Sequence, residues 1–190
     1  MARETVYKLI GLLDESHFLP SYHSGRENIT AEKAFLLSLW YLSNQETFRE
    51  ISDRFNVTYS SVHRCLTRTL KFLLSKKKEI IRWPAIETTN IITNAFRSKQ
   101  GMVNVIGAID GSHVEINKPS HNQDSYINRK GYHSLLIQGI VDHSKRFIDV
   151  FCGEPGSMHD ARLLRKSAIF KKISQNPDYI GQYFLLGDSA

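Results

Sequence analysis

The chain has 190 residues, 41% of them hydrophobic, and only two cysteines, Cys65 and Cys152. That is enough apolar material for a packed core, and it excludes a disulfide framework or a Cys-rich zinc site. No apolar run approaches the roughly 18 residues of a membrane span, and the N-terminus M-A-R-E-T-V-Y-K has no signal-peptide core, so no membrane role is expected. The formal net charge is +6, which points to an anionic partner. The excess is uneven: residues 1–100 carry 15 Lys and Arg against 10 Asp and Glu, and residues 101–190 carry 10 against 9. The basic character belongs to the first half.

In chain order, residues 5–13 place Val6, Leu9, Ile10 and Leu13 at helical spacing. Pro20 and Gly25 break the next stretch. Thr30 is a candidate N-cap, with Lys33 standing where a capping-box Glu would be. Ala34, Leu37, Trp40 and Tyr41 give the next helix a buried face, ending near Ser43 and Asn44. Phe48, Ile51 and Phe55 form a short amphipathic helix, and Asn56-Val57-Thr58 is a tight break. Val62, Cys65, Leu66, Thr69, Leu70 and Leu73 then make a longer stripe. A short helix, a brief turn and a second helix match a helix-turn-helix, with Tyr59, Ser60, Ser61, His63 and Arg64 opening the recognition helix.

From 54 to 82 there are eight Lys and Arg against one Glu. Phosphate contact through Arg64, Arg68, Lys71, Lys76, Lys77, Lys78 and Arg82 is one reading. A helical hairpin with a solvated basic face is the other. Trp83-Pro84 ends the helix, residues 89–98 form another short one, and Gly101 is the expected domain boundary. The expected organisation is therefore a basic helical module over 1–100 and a sheet domain over 101–190.

The second half opens on V-N-V-I-G-A-I-D-G-S-H-V-E-I, residues 103–116. A β-branched apolar run climbs to Asp110 and suits a buried strand. A carboxylate at such a strand end needs a metal, a cation or hydrogen-bond donors. Asp110-Gly111 is equally a common hairpin turn. Residues 119–131 read as a loop, 132–142 as a second strand, and 146–152 as a third, the last two forming a hairpin. Gly153 to Gly156 breaks the pattern. One helix is expected over 158–174, then a fourth strand over 183–188 that ends in Asp188.

The order β-β-β-α-β allows a right-handed crossover that returns the fourth strand parallel to the first. Asp110 and Asp188 then lie side by side, and neighbouring carboxylates call for a divalent ion such as Mg²⁺ or Mn²⁺. Asp160, in P-G-S-M-H-D, is a third candidate ligand, although Ser157 as N-cap with Asp160 three residues on would also explain it. His113 and His159 fit surface or hydrogen-bonding roles better than ligation. Arg129 and Lys130 could meet a DNA backbone or coat a loop.

Four blocks, G-A-I-D-G-S-H-V, Y-I-N-R-K-G-Y-H-S-L-L-I-Q-G-I-V-D, P-G-S-M-H-D and L-L-G-D-S-A, together resemble the transposases of the PIF/Harbinger superfamily and the nucleases derived from them. The resemblance implies an α+β chain: a helix-turn-helix-like module, then a partial RNase H-like mixed sheet with one crossover helix. It implies a DDE nuclease acting on DNA through Mg²⁺ or Mn²⁺, with Asp110 and Asp188 as catalytic aspartates and Asp160 counted with the metal site. It implies a nuclear protein, a Myb/SANT-like partner and room for oligomers, while the cysteine usage suits any reducing compartment, the cytoplasm included. The family's closing glutamate has no counterpart: Glu115 has an odd offset from Asp110 and faces the other way, and Glu154 is not placed near the site. The chain thus reads as a truncated copy, inactive alone. The competing expectation is a DNA-binding or partner-binding protein that keeps the fold without the chemistry.

Overall fold

The structure, a computed structural model, describes residues 1–20, 28–44 and 46–188. Gly25 lies outside the described residues, as do Ser189 and Ala190 of the last sequence block. The chain divides into two compact units, Met1–Ile80 and Ile81–Ala190.

The first unit is helical: α1 (Arg3–Asp14), α2 (Ala31–Ser43), α3 (Phe48–Phe55) and α4 (Tyr59–Ile80). Thr30 caps α2, its Oγ1 accepting the Lys33 N–H at 3.2 Å. Helix α3 opens on a complete capping box: Thr47 Oγ1 accepts the Glu50 N–H, and Glu50 Oε2 accepts the Thr47 N–H at 2.6 Å. Those hydrogen bonds from Thr47 hold the Glu50 carboxyl below its ordinary value. Asn56 closes α3 in the left-handed region at φ 47°, and α4 begins three residues later.

Helix α2 is shared by two cores. Ala34 and Leu37 pack with Ile51 of α3 and Val62 and Cys65 of α4. Ala31 and Phe35 pack with Leu13 of α1 and Phe72 of α4. The apolar spacing of α4 thus buries one face from Val62 to Phe72. Burial pushes the Cys65 thiol up, against the pull of Arg68, Arg64 and Lys33, so Cys65 is a neutral core residue.

The second unit comprises α5 (Ile86–Gln100), β1 (Val105–Glu115), β2 (Ser134–Val141), β3 (Phe147–Pro155), α6 (Asp160–Lys166), α7 (Ala168–Gln175) and β4 (Phe184–Leu186). The sheet order is β3-β2-β1-β4. Strands β1, β2 and β3 form an antiparallel meander, and β4 returns parallel to β1 after α6 and α7. The expected α+β architecture and the parallel return are both present. Leu164, Ile169 and Ile173 of the crossover pack with Ile109, Ile140, Ile148 and Leu185 of the sheet.

The β2–β3 hairpin turns on Asp142, which is 4% exposed. Its carboxylate accepts the Ser144 N–H at 2.8 Å, the Arg146 N–H at 3.0 Å and Arg146 Nε at 2.9 Å. Burial alone would raise this carboxyl, but the hydrogen bonds and the Arg146 charge outweigh it and hold the group below its ordinary value.

Four expectations are corrected. The division between units falls at Ile80 and Ile81, not at Gly101, because α5 packs on β1 and belongs with the sheet. The single helix over 158–174 is two: Ser167, fully buried, accepts the Phe170 N–H on its Oγ and restarts the helix as α7. Strand β3 does not stop at Cys152 but runs to Pro155, the ladder shifting across Gly153, whose φ of 110° marks a bulge. Ser157 is not the cap of the following helix: α6 starts at Asp160 on an N-cap, His159, that makes no side-chain capping bond.

Candidate functional site

In the β1–β4 ladder Ala108 stands opposite Leu186. Two residues on come Asp110, in the middle of β1, and Asp188, just past the end of β4, so equal steps bring both aspartates to the same level of the sheet. The hairpin-turn alternative for Asp110-Gly111 is excluded, since β1 continues through both residues to Glu115 and pairs with β2 throughout.

Asp110 and Asp188 line a cleft of about 210 Å³ together with Ile109, Gly111, Gln138 and Asp160. All three aspartates are exposed. One Asp110 oxygen accepts the Gly111 N–H at 2.8 Å, which fixes the rotamer of that carboxylate.

Asp160 enters from α6 and lies directly over the Cα of Gly111. A Cβ at position 111 would stand 2.7 Å from Asp160 Cγ. The glycine after Asp110 is therefore the floor on which Asp160 rests. The loop that delivers Asp160 is pinned in turn. The Gly156 N–H donates to Ser134 O at 2.9 Å, and the Ser157 N–H to Ser125 O at 3.2 Å. A Cβ on Gly156 would lie 2.8 Å from both Ser134 O and Tyr126 O, so only glycine passes there. Ser134 Oγ also receives Asn128 Nδ2 at 3.1 Å and contacts His113 Nδ1 at 2.9 Å.

Neither histidine faces the cleft as a free ligand: His113 is held by Ser134, and His159 Nδ1 contacts the Arg129 guanidinium. Arg129 is thereby tied to the residue preceding Asp160, while Lys130 is exposed. Glu115 pairs with Ser134 at the C-terminal end of β1, five residues beyond Asp110, and Glu154 is bonded to Lys166 at 2.7 Å.

Among the described residues, no three His, Cys, Asp or Glu side chains form a ready-made metal group. The donor set nonetheless suits a hard divalent ion, because Mg²⁺ and Mn²⁺ are commonly held by one or two carboxylates and otherwise by water and phosphate oxygens. Asp110 and Asp188 are the residues placed to do this, with Asp160 adjacent.

The basic residues of the first half are distributed unequally. Arg64, Lys71 and Lys78 recur every seven residues along α4 and are exposed; Arg68, four residues after Arg64, is half-buried beside the same stripe. Lys76 is paired with Glu79 at 3.0 Å. Lys77 is exposed near the end of α4, and Arg82 is exposed in the second unit. Arg54 is engaged elsewhere, over the Trp40 ring and bonded at 3.2 Å to Glu46. No helix of the described residues is long and apolar enough to cross a membrane.

Sequence reasoning passed over Gln138. Its signal was present: a glutamine at an inward position of an alternating strand.

Residues 109–190 match the family model of the DDE superfamily endonucleases, a match that starts on the strand carrying Asp110 and spans Asp160 and Asp188. Its relatives among curated proteins are of the kind that the four sequence blocks resemble. It is 29% identical over 189 residues to a rat (Rattus norvegicus) protein named "Putative nuclease HARBI1", covering 99% of this chain and 53% of that protein. It is 28% identical, with the same coverage, to the protein of that name in Homo sapiens. It is also 28% identical over 176 residues, 90% of this chain and 44% of the relative, to the Arabidopsis thaliana protein named Antagonist of Like Heterochromatin Protein 1. The chain spans about half the length of these curated relatives. No solved structure matches it.

Proposed function

We propose that the chain is the core of a transposase-derived DNA nuclease in which Asp110 and Asp188 hold a divalent metal ion and Asp160 completes the acidic wall. The observation that carries this reading is that Asp110, on β1, and Asp188, just past the end of the parallel β4, line one cleft. The family match over the same residues supports it, and an RNase H-like sheet is the fold this implies.

A bound Mg²⁺ or Mn²⁺ would supply charge stabilisation and an activated water for phosphodiester hydrolysis. The protein's own part is positional. The Gly111 N–H fixes the Asp110 carboxylate, and the pinned loop over 155–159 sets Asp160 against Gly111. Arg129, in contact with His159 at the start of α6, and the exposed Lys130 beside it on the loop before β2 offer cations to a phosphate backbone.

In the first unit, α3, the turn at Asn56 and α4 act as a helix-turn-helix-like module. The stripe of Arg64, Lys71 and Lys78 runs about 21 Å at 1.5 Å per residue, a length suited to following a duplex backbone with little sequence preference. The resemblance adds a nuclear location and a Myb/SANT-like partner, and the name of the Arabidopsis relative is in keeping with work on chromatin.

Two carboxylates recruit one ion; fixing a second requires further acid, and the described residues form no three-ligand group. Slow cleavage is therefore proposed for the chain alone. The same observation favours a second reading, a DNA-binding or partner-binding protein that has the fold without the chemistry.

Supercoiled plasmid with Mn²⁺ separates these readings. The proposal predicts Mn²⁺ binding that is lost in Asp110→Asn and Asp188→Asn, with little nicking. Nicking that depends on Mn²⁺ and disappears in Asp110→Asn would show that Asp160 suffices as the third ligand. Absence of Mn²⁺ binding at this cleft would leave the non-catalytic reading.

A further inference from the structure

Strand β2 alternates without exception: Ser134, Leu136, Gln138 and Ile140 are buried, and the residues between them are half-buried. A glutamine belongs at an inward position only when its amide is hydrogen-bonded. Gln138 is 3% exposed, and its Nε2 has no hydrogen-bond partner. It stands opposite Gly111 in the β1–β2 ladder and lines the cleft with Asp110, Asp160 and Asp188. An unpaired buried amide is a standing cost to stability, and such exceptions to local consistency concentrate at functional sites.

The chemistry of the cleft limits what the amide can be meant for. Nε2 only donates, and the carboxylates that line the cleft with it accept. A bare anion would be repelled by three aspartates; a bare cation would satisfy them but leave the amide unpaired. A phosphodiester bound together with a divalent cation satisfies both sets of groups. The carboxylates take the cation, and the amide takes a phosphate oxygen.

We propose that Gln138 is a substrate-binding residue of this cleft, its Nε2 donating a hydrogen bond to a phosphate oxygen of the bound strand. The inference rests on the reading that Asp110 and Asp188 hold a divalent ion. Gln138 is a ligand to the phosphate and not to the metal, so its removal separates the two affinities.

The test uses this chain with Mn²⁺ and thymidylyl-thymidine, a dinucleotide with a single phosphodiester, too short to span the basic stripe of α4. Mn²⁺ affinity is read by electron paramagnetic resonance, and dinucleotide binding by ³¹P line broadening from the protein-bound Mn²⁺. Gln138→Met keeps the volume and deletes the donor. It should melt no lower than the parent, keep Mn²⁺ affinity within about twofold, and weaken dinucleotide binding about tenfold, the effect of removing one hydrogen bond to a charged group. Gln138→Glu keeps the shape and replaces the donor by an acceptor; it should lose the dinucleotide while holding or gaining Mn²⁺ affinity. Unchanged dinucleotide binding in both variants, with Mn²⁺ binding abolished by Asp110→Asn, would overturn the role of Gln138 and leave the metal reading standing. Mn²⁺ binding that survives Asp110→Asn would overturn the metal reading, and this inference with it.

Discussion

Replacing Gly111 by Ala is the most informative single-methyl change. Position 111 has no positive φ, so Ala fits the backbone and suits a strand better than Gly does. The conflict is with Asp160 alone: the new Cβ would lie 2.7 Å from Asp160 Cγ and nearer still to Oδ1, where ordinary contact begins at 3.4 Å. The carboxylate must therefore retreat by about 0.7 Å or more. Metal–ligand distances tolerate only about 0.2 Å, so under the proposed reading this move takes Asp160 out of reach of the ion. Stability should change by less than about 1 kcal/mol, because Asp160 is exposed and free to rotate outward. Mn²⁺ affinity should fall about tenfold, the lower end of what disturbing a metal site's support costs. Three variants, Gly111→Ala, Asp160→Ala and the double mutant, measured by calorimetric titration, give the test. All three should share one weakened affinity, since under the proposed reading each removes the same contact of Asp160 with the ion. Additive losses, or parental affinity in Gly111→Ala beside a loss in Asp160→Ala, would refute the idea that Asp160 acts from its seat on Gly111.

Other outcomes derive from the fold. Asp142→Ala strands two backbone N–H groups and a guanidinium, and should cost about 2–3 kcal/mol in urea unfolding. Because the Asp142 carboxyl is held below its ordinary value when folded, its contribution is fully present above about pH 3.9 and is lost as pH falls through the folded value; the gap between parent and variant should close only in acid. Asn56→Ala, at φ 47°, should cost about 1 kcal/mol by thermal melting, and Asn56→Gly close to nothing. Replacing Arg64, Lys71 and Lys78 with Ala should reduce the slope of log affinity for duplex DNA against log salt by about 0.9 for each phosphate no longer neutralised. An unchanged slope would make the α4 stripe a solvated surface.

The parallel return of β4 beside β1 was legible because connection handedness and strand order leave few alternatives. The α3–turn–α4 arrangement was legible from Asn56 and two apolar stripes. Ser167 was not, because the apolar spacing of Leu163, Leu164 and Ala168 continues across it; what breaks the helix is a hydroxyl bonding its own neighbours. Gly153 read as a strand terminator because sequence does not distinguish an end from a bulge. Gly101 read as a boundary because α5 looks like one more helix of the first half; its packing partner, β1, is a tertiary fact. Gln138 was readable as an anomaly, but its proximity to the acids depended on the register that sets it opposite Gly111.

The central claim is that Asp110 and Asp188 converge on one divalent ion. Crystals of this chain soaked in Mn²⁺ and measured near the manganese absorption edge test it directly. The account predicts an anomalous peak between the two carboxylates, roughly 2 Å from an oxygen of each, and no such peak in Asp110→Asn. A peak elsewhere, or a cleft without manganese while both aspartates keep the positions described, would contradict it.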